Sequence, residues 1–129
     1  MIRSILIVDD SGVSRRVVQH CLEYSGLKGR EFVQAANGAL ALEIIKQRAV
    51  DLLVTDLSMP VMDGPALVEA VAKLPNAKDM KIIVATSLAS WAWEVDLTRK
   101  GVTAVVRKPL GNDSFTAVLA KIESGRTTP

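Results

Sequence analysis

Three short runs in this chain are apolar at nearly every position and rich in β-branched residues. They are Ser4 to Val8, Leu52 to Thr55, and Lys81 to Ala85 with Ile82-Ile83-Val84 at its centre. A strand with one wet face alternates apolar and polar side chains, so short continuous runs predict strands covered on both faces. Glu31 to Ala35 and Ala104 to Arg107 are weaker strand candidates in the same series. Between the runs the apolar spacing turns helical. Val13, Val17, Cys21 and Leu22 are expected on the buried stripe of a first helix, Leu40, Ile44 and Ile45 on a second. Leu67, Val68, Val71 and Leu74 mark a third, and Phe115, Val118, Leu119 and Ile122 a fifth. Gly101 is placed to end the fourth helix, and Asn112 or Asp113 to cap the last.

The fourth helical slot, Ser90 to Lys100, reads differently. Its apolar residues Trp91, Trp93, Val95 and Leu97 recur with period two, as in a strand. A parallel crossover between two strands requires a connection of about this length, usually a helix, so a helix is expected. On it Trp91 and Val95 share one face, while Trp93 and Leu97 lie on nearly the opposite one. One helix cannot easily bury both pairs against one sheet, so at least one tryptophan is expected to be substantially exposed.

The β-α alternation predicts an α/β fold, a parallel sheet with helices on both faces. With 129 residues there is room for one domain, taken as 1–124, with a flexible tail at 125–129. The 49% hydrophobic content excludes a disordered chain, and no apolar run approaches the length of a membrane span. The single cysteine, Cys21, excludes an internal disulfide and reads as a buried thiol. The lone histidine, His20, excludes a multi-histidine metal site. The N-terminus lacks the long apolar core of a secretory signal, so a soluble, cytoplasmic domain is expected. Basic residues are scattered around a net charge of +2, which argues against a direct nucleic-acid interface.

In a sheet of this kind, function gathers at the carboxyl ends of the strands. Asp9-Asp10 follows the first run, Asp56 the third, Thr86-Ser87 the fourth and Lys108-Pro109 the fifth. Each alone would read as a cap or a loop residue. Together they bring three carboxylates, hydroxyls and an ammonium to one region. Crowded carboxylates repel unless a cation offsets them, and Mg²⁺ accepts oxygen ligands while keeping waters for phosphate. Lys108 adds a point charge for a phosphoryl oxygen, and Thr86 a hydrogen-bond donor. The set suits phosphoryl transfer to a carboxylate nucleophile. Asp56 is the choice for nucleophile because it stands alone, whereas Asp9 and Asp10 form a pair suited to a metal. Lys108 is expected to act on the phosphoryl group, and its loss to cost little stability.

The sequence resembles a response-regulator receiver domain, of the single-domain, chemotaxis-regulator kind. The residues that carry the resemblance are ILIVDD at 5–10, D-L-S-M-P-V-M-D-G at 56–64, Ala85-Thr86-Ser87 and Val106-Arg107-Lys108-Pro109. It implies a flavodoxin-like fold, with five parallel strands in order 2-1-3-4-5. It implies a signalling protein rather than an enzyme turning over a separate substrate. A sensor histidine kinase or phosphotransfer protein would donate to Asp56. Asp10, Asp56 and the Ser58 backbone carbonyl would bind Mg²⁺, with Asp9 acting through water. Thr86 and Lys108 would complete the site. Phosphorylation would reshape the face of helix 4, strand 5 and helix 5, which controls a downstream protein or output domain. The sequence departs from the family in two places. Val105 stands where an aromatic switch residue is usual, and Leu88 where a polar residue is frequent. Trp91 is expected to offset the first departure in an output or homodimer contact.

Two other readings compete. A haloacid-dehalogenase-like phosphohydrolase also uses a strand-end aspartate, but it needs a second one two residues later, where this chain has Ser58. A pseudo-receiver that no longer takes phosphate gains weight from Val105 and loses it from the intact acidic set, since unused buried carboxylates are costly to keep.

Overall fold

The computed structural model describes residues 2–87 and 91–123, with the backbone alone for 91–94. The tail expected at 125–129 lies outside the described residues. Five strands form one parallel sheet: β1 (Ser4–Val8), β2 (Glu31–Ala35), β3 (Leu52–Thr55), β4 (Lys81–Thr86) and β5 (Ala104–Arg107). The helices between and after them are α1 (Gly12–Leu22), α2 (Gly38–Gln47), α3 (Gly64–Ala72), α4 (Trp91–Arg99) and α5 (Thr116–Glu123). The strand order is β2-β1-β3-β4-β5, the flavodoxin-like arrangement.

The continuous apolar runs are explained by two cores. Successive strand side chains point to opposite faces. Ile5 and Ile7 of β1 therefore join Val18, Cys21 and Leu22 of α1 and Leu119 of α5 on one side. Leu6 and Val8 join Ala41 and Ile45 of α2, Val68 and Val71 of α3 and Leu97 of α4 on the other. Cys21 is a buried thiol, as expected, and burial pushes its pKa up.

Three helical details differ from the sequence reading. Val13 and Val17 are exposed, and the core face of α1 is Val18, Cys21 and Leu22. A line of residues four apart drifts by about 40° per step, so the expected stripe runs off the buried face. Leu40 is likewise exposed, and of the second stripe Ile45 is the fully buried member. Asn112 and Asp113 fall in a turn before α5, where Ser114 N–H donates to the Gly111 carbonyl at 3.1 Å and Thr116 N–H to that of Asp113 at 3.1 Å. In α4, Val95 is exposed and Leu97 buried, which agrees with their assignment to opposite faces. The tryptophan side chains of that helix lie outside the described residues. Gly101 ends the segment with φ +100°, the left-handed conformation that a glycine adopts at a helix end without steric cost.

Candidate functional site

The register of the sheet aligns the strand ends. Val8 pairs with Thr55, and Thr86 with Arg107, so the residues that follow these strands emerge side by side. Backbone bonds extend the ladders one step further. Asp56 N–H donates to the Val8 carbonyl at 3.0 Å, Asp9 N–H to that of Ala35 at 3.2 Å, and Lys108 N–H to that of Thr86 at 3.0 Å. Each functional residue is therefore held by the sheet, although its side chain projects past the edge.

Asp9 is buried, with three donors on its carboxylate. Ser11 N–H lies 3.0 Å from Oδ1, Ser14 Oγ 2.6 Å from Oδ2, and Lys108 Nζ 2.8 Å from Oδ2. Lys108 Nζ also reaches Asp56 Oδ2 at 3.2 Å and Ser14 Oγ at 3.0 Å. Burial alone would raise the pKa of Asp9. The Lys108 ammonium, the Ser14 hydroxyl and the Ser11 N–H outweigh it and hold the carboxyl below its ordinary value. Burial would likewise lower the pKa of Lys108, and the two carboxylates hold it above the usual lysine range instead. Asp56 is half-buried, and its Oδ1 accepts the Leu57 N–H at 2.7 Å. Thr86 is buried at the end of β4.

The loop after Asp56 folds back under it. Gly64 N–H donates to the Leu57 carbonyl at 2.9 Å, and Asp63 caps α3 by accepting the Ala66 N–H at 3.0 Å. The glycine of the M-D-G triplet is needed because the Asp56–Leu57 backbone passes directly over it. The loop also touches α2, where Gly38 N–H donates to the Met62 carbonyl at 3.1 Å.

The structure thus brings together Asp9, Asp56 and Lys108. It separates the two adjacent aspartates, because Asp9 is buried and Asp10 is exposed. Among the described residues no group of three or more acidic, histidine or cysteine side chains is arranged to hold a metal. Asp9 and Asp56 are joined through the Lys108 ammonium, and the exposed Asp10 stands outside that set. The donor set nevertheless fits Mg²⁺, which takes few protein oxygens and retains waters. The Asp56 oxygens each accept a single described donor and keep a free lone pair, and the exposed Asp10 and Ser58 stand beside solvent. Val105 is half-buried and packs against the core that holds α2, α3 and α4. The Trp91 side chain lies outside the described residues. Sequence reasoning missed Ser14, which reads as an ordinary serine in the first turn of a helix.

The sequence matches the response regulator receiver domain family over residues 5–120. It is 36% identical over 110 residues to the protein-glutamate methylesterase/protein-glutamine glutaminase 3 of Hahella chejuensis, covering 83% of this chain and 30% of that protein. It is 28% identical to the probable chemotaxis protein CheY of Rhizobium etli, covering 92% of this chain and 90% of that one. The structure superposes on the chemotaxis protein CheY4 of Vibrio cholerae with a TM-score of 0.82 at 29% identity, covering 95% of this chain and 99% of the other. The chain spans under a third of the methylesterase, so its likeness there is to one portion of a larger protein. Among the described residues no helix is long and apolar enough to cross a membrane. With the fold, the strand-end residues and the matched span in agreement, this chain belongs to the response regulator receiver domain family and is a CheY-like signalling domain of two-component systems.

Proposed function

We propose that Asp56 accepts a phosphoryl group from a phosphorylated histidine of a sensor kinase or phosphotransfer protein. The observation that carries this reading is the position of the Asp56 carboxylate, half-buried and fixed between the Leu57 N–H and the Lys108 ammonium. A nucleophile held on both oxygens reacts from one orientation, which lowers the entropic part of the barrier. As an Asp56 oxygen bonds to phosphorus, the phosphorus–nitrogen bond of the donor breaks and its electron pair stays on the imidazole. Lys108 is already beside Asp56, so it can exchange a carboxylate oxygen for a phosphoryl oxygen with little movement. Thr86, at the neighbouring strand end, supplies the hydroxyl. Mg²⁺ held by Asp10, Asp56 and the Ser58 carbonyl, with Asp9 in its outer sphere, would neutralise charge on the transferred group.

The phosphorylated site then alters the surface of α4, β5 and α5, which engages a partner or output domain in the cytoplasm. Val105 has no aromatic ring to rotate, so in this chain the change does not use an aromatic rotamer at that position. The test is mass spectrometry after incubation with Mg²⁺ and acetyl phosphate. The protein gains one acid-labile phosphoryl group and Asp56→Asn gains none. Phosphate mapped to another residue of the unmutated chain overturns the assignment.

A further inference from the structure

We infer that Ser14 is a positioning residue that sets the direction of the Lys108 ammonium for phosphoryl transfer. The inference rests on Asp56 being the phosphoacceptor. Ser14 is the third residue of α1, whose N-cap Ser11 accepts the Ser14 N–H at 3.2 Å. Helical side chains lean toward the N-terminus, so Ser14 Oγ points back to the carboxyl edge of the sheet. There it donates to Asp9 Oδ2 at 2.6 Å. Its single hydrogen is then committed, and its lone pairs accept from Lys108 Nζ at 3.0 Å.

An ammonium has three hydrogens. In this structure three acceptors surround it, Asp9 Oδ2 at 2.8 Å and Ser14 Oγ at 3.0 Å, which are bonded to each other and lie on one side, and Asp56 Oδ2 at 3.2 Å. Lysine is a flexible four-carbon stem, and a carboxylate on either side would leave it free to pivot. Asp9 and Ser14, hydrogen-bonded to each other, together anchor one side of it. The third contact, the longest, is directed at Asp56. That is the bond that must pass to a phosphoryl oxygen. Two anchors that do not change during the reaction therefore aim the one that does. Ser14 touches neither Asp56 nor the transferred group, so it acts through Lys108.

The test uses Ser14→Thr and Ser14→Val, side chains of the same shape that differ in the hydroxyl. Any shared effect of size on α1 cancels between them. With acetyl phosphate and Mg²⁺, the rate at saturating donor should fall by about three- to tenfold in the valine variant, the range set by one hydrogen bond. Half-saturation by the donor should stay nearly constant, and the threonine variant should keep the wild-type rate. In the unphosphorylated, metal-free protein, the ¹H–¹⁵N signal of the Lys108 ammonium, assigned by its loss in Lys108→Ala, should exchange slowly in wild type and Ser14→Thr. It should broaden in Ser14→Val. Equal rates in the two variants overturn the inference, and so do unequal rates with identical ammonium signals. A wild-type protein that takes up no phosphate overturns the phosphoacceptor reading itself, a result that variant comparisons cannot mimic.

Discussion

A β-carbon built on Gly64 would lie 2.3 Å from the backbone carbonyl oxygen of Asp56. No side chain fits at such a distance, and the same carbon would stand 2.8 Å from Leu57 Cα. Both obstacles are backbone, which cannot rotate away as a flexible side chain can. Gly64→Ala should therefore destabilise the protein by about 1–3 kcal/mol or more, the cost of overpacking. It should also push Asp56 from its place beside Lys108 and slow phosphorylation. Urea denaturation and the rate with acetyl phosphate check both effects. Wild-type stability in the alanine variant would mean that the loop has an alternative path.

Val61, in the same loop, has φ +70° and is 82% exposed. A β-branched residue is strained there, since its Cβ crowds the following carbonyl. Nothing buried depends on its side chain. Val61→Gly should relieve strain of about 1–3 kcal/mol and lose roughly 0.5–1 kcal/mol to the entropy of a freer unfolded chain. The net expectation is a gain of about 1 kcal/mol in urea denaturation. A loss would mean that the valine side chain makes a contact that holds the loop.

How far these features could be read from the sequence follows from where each is encoded. The strands were legible because burial on both faces leaves continuous apolar runs such as Leu52-Leu53-Val54. The site was legible because its residues follow those runs directly. The difference between Asp9 and Asp10 was not, because adjacent identical residues differ only in the direction their side chains leave the strand end. Ser14 was hidden for another reason: its role depends on Lys108, 94 positions away. Val13 and Val17 look like core in a line of residues four apart, but that line drifts off the buried face, which Val18, Cys21 and Leu22 form.

The Asp9–Lys108 pair sets a pH window. Asp9 is held below its ordinary value of 3.8, so its stabilising contribution is complete above that pH and is lost as pH falls through the lowered value. Lys108 is held above 10.5, so its contribution is complete below that pH and is lost as pH rises through the raised value. Stability of the metal-free protein should therefore be flat in these terms between the two limits. Asp9→Asn removes the acid-side dependence of this group. The wild type should lose stability relative to that variant as pH falls below 3.8, measured by urea denaturation across a pH series. Parallel profiles would show that another carboxylate governs the acid limb.

Lys108→Ala links stability to metal. From the sequence, removing Lys108 leaves three carboxylates less well compensated, and little loss of stability, or even a gain without metal, is expected. In the structure that ammonium is 2.8 Å from a buried Asp9 carboxylate and 3.2 Å from Asp56. Its loss leaves two carboxylates facing each other without their cation, and a buried charge deprived of its partner is costly. The sites are partly open to water, which moderates the penalty to about 1–3 kcal/mol. The divalent cation proposed for Asp10 and Asp56 would supply positive charge on the same side of the sheet. Mg²⁺ should accordingly stabilise Lys108→Ala more than it stabilises the wild type, because in the wild type it must share Asp56 with the ammonium. Thermal denaturation of both proteins across a Mg²⁺ titration measures the difference. A smaller Mg²⁺ effect in the variant would show that Lys108 helps to organise the metal ligands instead of competing with the ion for Asp56.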